Sequence, residues 1–332
     1  LLRRVFVFLG LLIAGAEISI VDAQVLYSVG SVPGFPLVTI DPNTGTIQTV
    51  QPTGSFTGVT STSTFDPSGR RLFFVVDYAG VPTLVVVNVQ TRTVTTHPIL
   101  LAGGSAVFLE FDSSTGILYS VSSAPGFPLL TIDPSTGAIQ TVQPTGSFTG
   151  VTGTSAFDPS GRRLFFVADE AGVPTLVVVN VQTGAVALHP ISLAGGSAVF
   201  LEFDPNTGLL YSVSSAPGFP LLTIDPSTGA VQTVQSTGSF TGVTGTSAFD
   251  PSGRRLFFVA DNAGVPTLVV VNVQTGVVAL HPISLAGGSF VFLEFDPFGL
   301  LPTNIPATSA VGTLLTLVAI GAAGFVLARQ LR

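Results

Sequence analysis

Apolar and polar positions alternate in short runs along most of this chain, and each run stops at a cluster of Gly, Pro, Asp, Asn, Ser or Thr. That pattern predicts strands joined by tight turns. The runs also recur. Leu26, Leu118 and Leu210, spaced by 92 residues, each open Leu-Tyr-Ser-Val, while Leu72, Leu164 and Leu256, set 46 residues further on, open Leu-Phe-Phe-Val. Within one unit, Thr154–Phe157 predicts a strand a, Asp158-Pro159-Ser160-Gly161 a turn and Arg163–Ala168 a strand b. Ala171-Gly172-Val173-Pro174 then turns into strand c at Thr175–Val181, and Gln182-Thr183-Gly184 into strand d at Ala185–His189.

A four-stranded antiparallel meander buries both faces only when neighbours stack on it, and a period near 46 suits a propeller blade. The array opens at Val25 with a b-type strand, followed by c at Leu37–Ile40 and d at Thr46–Val50. It ends with a lone a-type strand at Phe290–Phe295. Residues 24–298 are therefore expected to form an all-β, six-bladed β-propeller of three 92-residue repeats. The first blade takes three N-terminal strands and one C-terminal strand, and closing the ring hides both sheet edges. A linear β-solenoid is the architectural rival.

The turn phrases Asp133-Pro-Ser-Thr-Gly137 and Phe157-Asp-Pro-Ser-Gly161, with their counterparts along the chain, resemble those of bacterial YVTN-type propeller repeats. The resemblance implies the same fold over residues 25 to about 297.

The two ends read as addresses. Arg3 and Arg4 precede an apolar run that stops at Val21-Asp22-Ala23, which predicts a signal peptide over 1–23 and hence export; a short anchor or buried helix is the alternative. Residues 299–307 form a linker, 308–328 are uncharged and long enough for a transmembrane helix, and 329–332 make a basic tail expected to stay cytoplasmic. Ile305, Pro306, Ser309 and Gly312 just before and within this stretch resemble the IPTL-CTERM sorting signal, a PEP-CTERM-type signal of bacterial surface proteins. Thr308, Ala310 and Val311 replace the Leu, Glu and Trp common in that motif. What the resemblance implies is cell-envelope display, anchored by the helix unless a sorting protease removes the tail.

Composition narrows the chemistry. There is no Cys, and all 11 basic residues are Arg, so disulfides, thiolate sites, a P-loop lysine and a lysine Schiff base are excluded. Residues 24–306 carry seven Arg against 16 acidic groups, a balance of −9 that argues against nucleic acid as a partner.

Strand parity puts the b–c and d–a connections on one face of the disc. There Phe35, Phe127 and Phe219 stand in Pro-Gly-Phe-Pro loops, and Phe56, Phe148 and Phe240 in Gly-Ser-Phe-Thr-Gly connections. Two readings are open: the rings are a surface for a protein or glycan ligand, or they fold back and plug gaps between blades. On the opposite face the Arg pairs 70–71, 162–163 and 254–255 are expected as solvated hairpin ends and turn ion pairs.

Glu110, Glu202 and Glu294 recur in the a-type strands of alternate blades, a pattern that would place a carboxylate ring in the central channel for a hard divalent cation. No other cofactor is expected. His97, His189 and His281 each precede Pro on outermost strands and are spread around the rim, so they cannot meet on one metal. The leading expectation is a non-enzymatic binding or scaffold module of the envelope. The alternative is a metal-dependent propeller hydrolase or lyase, lactonase-like, with its site in the channel, and that rests on fold analogy alone.

Overall fold

The computed structural model describes residues 24–298, apart from 102, 194, 286 and 287 and the side chains of 60–62, 153 and 245. The expected signal peptide, the linker and sorting motif, the helix over 308–328 and the basic tail lie outside the described residues. Among the described residues, no helix is long and apolar enough to cross a membrane.

Six four-stranded antiparallel sheets follow one another around a ring. Blade one holds β1 (Val25–Val29), β2 (Pro36–Ile40) and β3 (Ile47–Pro52). Blade two is β4 (Gly58–Asp66), β5 (Arg71–Tyr78), β6 (Val81–Asn88) and β7 (Thr93–Pro98). Blade three is β8 (Glu110–Asp112), β9 (Ile117–Val121), β10 (Leu129–Ile132) and β11 (Ile139–Gln143), and blade four is β12 (Gly150–Asp158), β13 (Arg163–Glu170), β14 (Val173–Asn180) and β15 (Val186–Pro190). Blade five is β16 (Glu202–Asp204), β17 (Leu209–Val213), β18 (Pro220–Ile224) and β19 (Val231–Ser236), and blade six is β20 (Gly242–Asp250), β21 (Arg255–Asn262), β22 (Val265–Asn272) and β23 (Val278–Pro282). The last strand, β24 (Glu294–Asp296), pairs antiparallel with β1 in the register Glu294↔Tyr27, Phe295↔Leu26 and Asp296↔Val25, and so completes blade one.

The middle strands read as nearly unbroken apolar runs because each sheet is covered on both faces by its neighbours. Alternate side chains then enter alternate cores. On β5, Leu72, Phe74 and Val76 pack toward blade one, whereas Phe73 and Val75 pack toward blade three. Six such inter-blade cores exist among the described residues, three of each kind.

Blades alternate in their innermost strand, which explains why the true repeat is 92 rather than 46. Even blades use nine residues, with an irregular register before Ser63, Ser155 and Ser247. Odd blades keep only the Glu-Phe-Asp triplet in the ladder. The closing strand is consequently shorter than the expected Phe290–Phe295. Phe290 makes only an isolated bridge to Gly30, and ladder pairing resumes at Glu294.

Candidate functional site

The inner strands enclose an axial cavity of about 300 Å³. Its polar lining comes from Glu110, Glu202 and Glu294 on odd blades and from Ser and Thr hydroxyls on even ones, with no basic side chain among them. Each glutamate reaches across a blade boundary: Ser155 donates to Glu110 at 2.7 Å, Ser247 to Glu202 at 2.7 Å and Ser63 to Glu294 at 2.5 Å. The three carboxyls border the cavity yet lie deep in the protein.

Burial pushes Glu110 up to about 8 and Glu202 up to about 7, against the opposing pull of the serine hydrogen bonds. Glu294 is displaced in the same direction by burial, with the charges of Glu202 and Glu110 adding to it. Burial thus favours the neutral carboxylic acid over the carboxylate at all three positions. The structure brings the three expected glutamates to one cavity, but among the described residues no three His, Asp or Glu side chains are grouped closely enough to hold a metal ion.

The six phenylalanines form three pairs. Phe35 meets Phe56 at 5.6 Å between ring centroids, Phe127 meets Phe148 at 5.7 Å and Phe219 meets Phe240 at 5.8 Å. All are half-buried, and the second ring of each pair sits edge-on over a core ring, Phe74, Phe166 or Phe258. They cap the cores between each odd blade and the even blade that follows. Thr53, Thr145 and Thr237 fasten the two loops of each pair by donating to the carbonyl of Phe35, Phe127 or Phe219 at 2.6 Å.

On the opposite face the expected turn ion pairs are present, but the arginines are not solvated hairpin ends. Arg70, Arg162 and Arg254 cross to the preceding blade and pair with Asp296, Asp112 and Asp204, whose side chains are fully buried. Arg71, Arg163 and Arg255 bind Asp66, Asp158 and Asp250 within their own hairpins and lie 5.2–5.3 Å from the centroids of Phe73, Phe165 and Phe257. The turn itself makes this possible. A Cβ at Gly161 would fall 2.3 Å from Asp158 Oδ2, and Asp158 Oδ1 accepts from the Ser160 and Gly161 amides. Burial alone would raise the Asp158 carboxyl; hydrogen bonds from Gly161, Ser160 and Arg163 outweigh it and hold the group below the usual range.

The histidines are half-buried rim residues. The Cβ atoms of His97, His189 and His281 pack where a side chain on Gly137, Gly229 or Gly45 of the next blade would have to stand. What the sequence reading missed is a set of exposed tips. The b–c hairpins of the even blades present Tyr78, Val81, Val173 and Val265 to solvent.

No family model and no curated protein matches this chain. Solved structures do. TolB from Acinetobacter baumannii superposes with a TM-score of 0.62 at 15% identity, over 82% of this chain and 66% of that one. A chain of the nidogen/laminin complex gives 0.61 at 11% identity, over 83% of this chain and 100% of that one. A TolB from Agrobacterium tumefaciens gives 0.54 at 11% identity, over 78% and 88%. The chain thus spans just under two thirds of the Acinetobacter protein, and these likenesses show the β-propeller fold.

Proposed function

We propose that this protein is a non-enzymatic binding or scaffold module of the bacterial cell envelope: an exported propeller, tethered by residues 308–328 or released when the tail is cut. The observation that carries the binding reading is the threefold recurrence of exposed apolar hairpin tips on one face, while the six a–b turn arginines of the other face are engaged between and within blades. A surface summed over blades fits an extended partner. The nidogen/laminin likeness supports it as a propeller drawn from a protein–protein complex, and the two TolB likenesses are to propellers of bacteria.

The partner class favoured is protein rather than glycan, because the six loop phenylalanines that would stack on sugars are half-buried in pairs. Export and anchoring rest on the charge and hydropathy pattern of the two ends.

The test is expression of the tagged full chain in a bacterial host, followed by fractionation, protease shaving of intact cells, intact mass and in-cell cross-linking. Envelope recovery and a cross-linked protein partner are expected. Recovery in the cytoplasm with uncut residues 1–23 would overturn the location. An activity lost in Glu202→Gln would move the protein to the hydrolase class.

A further inference from the structure

Each even blade ends its b–c hairpin in one of three closely similar tips, Asp77–Pro82, Asp169–Pro174 and Asp261–Pro266. Being on alternate blades of a closed ring of six, the tips divide the face into thirds. The turn residues are Ala79, Ala171 and Ala263 at φ 53°, followed by Gly80, Gly172 and Gly264 at φ 82–86°. These form a tight two-residue hairpin turn that projects its flanking residues outward. Tyr78 is 55% exposed, Val81 39%, Val173 46% and Val265 47%.

Charge on this face has one sign. Asp77, Asp169 and Asp261 each accept the amide of the turn glycine at 2.6–2.7 Å, and Glu170 adds a fourth acidic group. Thr149 and Thr241 also donate to Asp169 and Asp261, and together with the turn amides hold those carboxyls below the usual range, so they stay ionised in any physiological medium. All seven arginines among the described residues stand elsewhere: six at the a–b turns of the opposite face and Arg92 in a c–d turn at the rim. No described arginine offsets the acidic groups of the hairpin face.

We propose that this face docks a cationic, amphipathic polypeptide, one that sets Lys or Arg side chains against Asp77, Asp169, Asp261 and Glu170 and apolar side chains on the neighbouring Tyr78 and valines. The inference rests on the binding-module reading and adds to it the partner's chemistry. An anionic lipid surface or a nucleic acid would be repelled, and a neutral glycan would leave the valines uncovered. Three separated tips favour an extended chain that touches more than one, because linked weak contacts add through effective concentration.

The experiment measures anisotropy of a labelled peptide of alternating Lys and Leu on the full-length protein, with a Glu and Leu peptide as control. The Lys-Leu peptide binds, and its affinity falls about tenfold as salt rises from roughly 0.05 to 0.3 M, as screening of exposed charges requires. The set Asp77→Asn, Asp169→Asn, Asp261→Asn keeps the oxygen that accepts the turn amide but removes three charges; it weakens binding about tenfold or more. The set Val81→Thr, Val173→Thr, Val265→Thr, of similar shape, weakens it as well. A control set, Asp41→Asn, Asp133→Asn, Asp225→Asn, removes the same charge from the c–d turns and leaves affinity within about twofold. Equal loss in both Asn sets, no loss in the Thr set, no binding of the Lys-Leu peptide, or equal binding of the Glu-Leu peptide would each overturn the proposal. A protein partner cross-linked in cells through another face would do the same while leaving the binding-module reading intact.

Discussion

Ser63 Oγ donates to Glu294 Oε1 at 2.5 Å, joining two residues 231 positions apart across the seam where the chain's end meets its beginning. Ser155–Glu110 and Ser247–Glu202 make the same bond between residues only 45 apart. The seam is therefore built like any other odd-to-even boundary. The cavity and the hairpin face both depend on this closure.

The axial carboxyls make stability depend on pH in a direction opposite to that of ordinary ion pairs. Their folded values lie above the unfolded one, so the folded state holds protons that the unfolded state releases. Their contribution is neutral below about pH 4.5 and becomes increasingly destabilising as pH rises through 7 to 8, then levels off. Thermal unfolding is expected at lower temperature at pH 8.5 than at pH 5.5. Replacing Glu110, Glu202 and Glu294 together by Gln should flatten that slope and raise Tm more at pH 8.5 than at pH 5.5. A wild-type Tm that rises over this interval would contradict the assignment.

Asp296 and Arg70 form the second lock on the seam, 2.7 Å apart, with the carboxylate fully buried. Burial raises the Asp296 carboxyl even with Arg70 beside it, which marks how much the site depends on its partner. Arg70→Ala should cost about 3–5 kcal/mol in urea unfolding by stranding a buried charge. A loss below about 1 kcal/mol would mean the seam is wet and loosely held.

Phe148 folds over Gly146, whose added Cβ would lie 2.4 Å from the ring's Cζ, whereas a Cβ at Gly150 meets nothing within 4 Å. Gly146→Ala should therefore destabilise by roughly 1–3 kcal/mol, and Gly150→Ala by less than about 1 kcal/mol. Equal effects would show that the ring pair does not cap the core.

The hairpin tips carry alanine where the backbone is left-handed, at φ 53°. Asn tolerates that region better, so Ala79→Asn, Ala171→Asn and Ala263→Asn should each raise stability by about 0.5–1 kcal/mol. Destabilisation would mean the tips adopt another turn.

The blade count and the split first blade were legible because strand and turn phrases repeat at a spacing that only stacked sheets satisfy. Other features were not, for identifiable reasons. Arg70 and Arg71 are adjacent in sequence and look equivalent, yet the first lies at φ 55° and is turned toward the preceding blade while the second grips its own turn. Phe290 reads as part of a strand because its neighbours are apolar, but the ladder opens between its single bridge and Glu294. The exposed tips were hidden because Ala-Gly-Val-Pro reads as an ordinary turn, and exposure is a property of the assembled ring. That the three glutamates share a cavity followed from their strand position. Their protonation did not, because it depends on depth in the protein and on the lack of any cation in the lining.

Closure of the ring can be tested without ambiguity because the chain has no cysteine. Ser31 and Ser289 lie 258 residues apart, with their hydroxyl oxygens 3.1 Å from one another. In the double variant Ser31→Cys, Ser289→Cys, mild oxidation should give a monomeric disulfide in nearly all molecules, raising stability by about 4–5 kcal/mol through the long loop it closes. Free thiols or intermolecular dimers in the oxidised, folded protein would contradict the closed six-bladed ring.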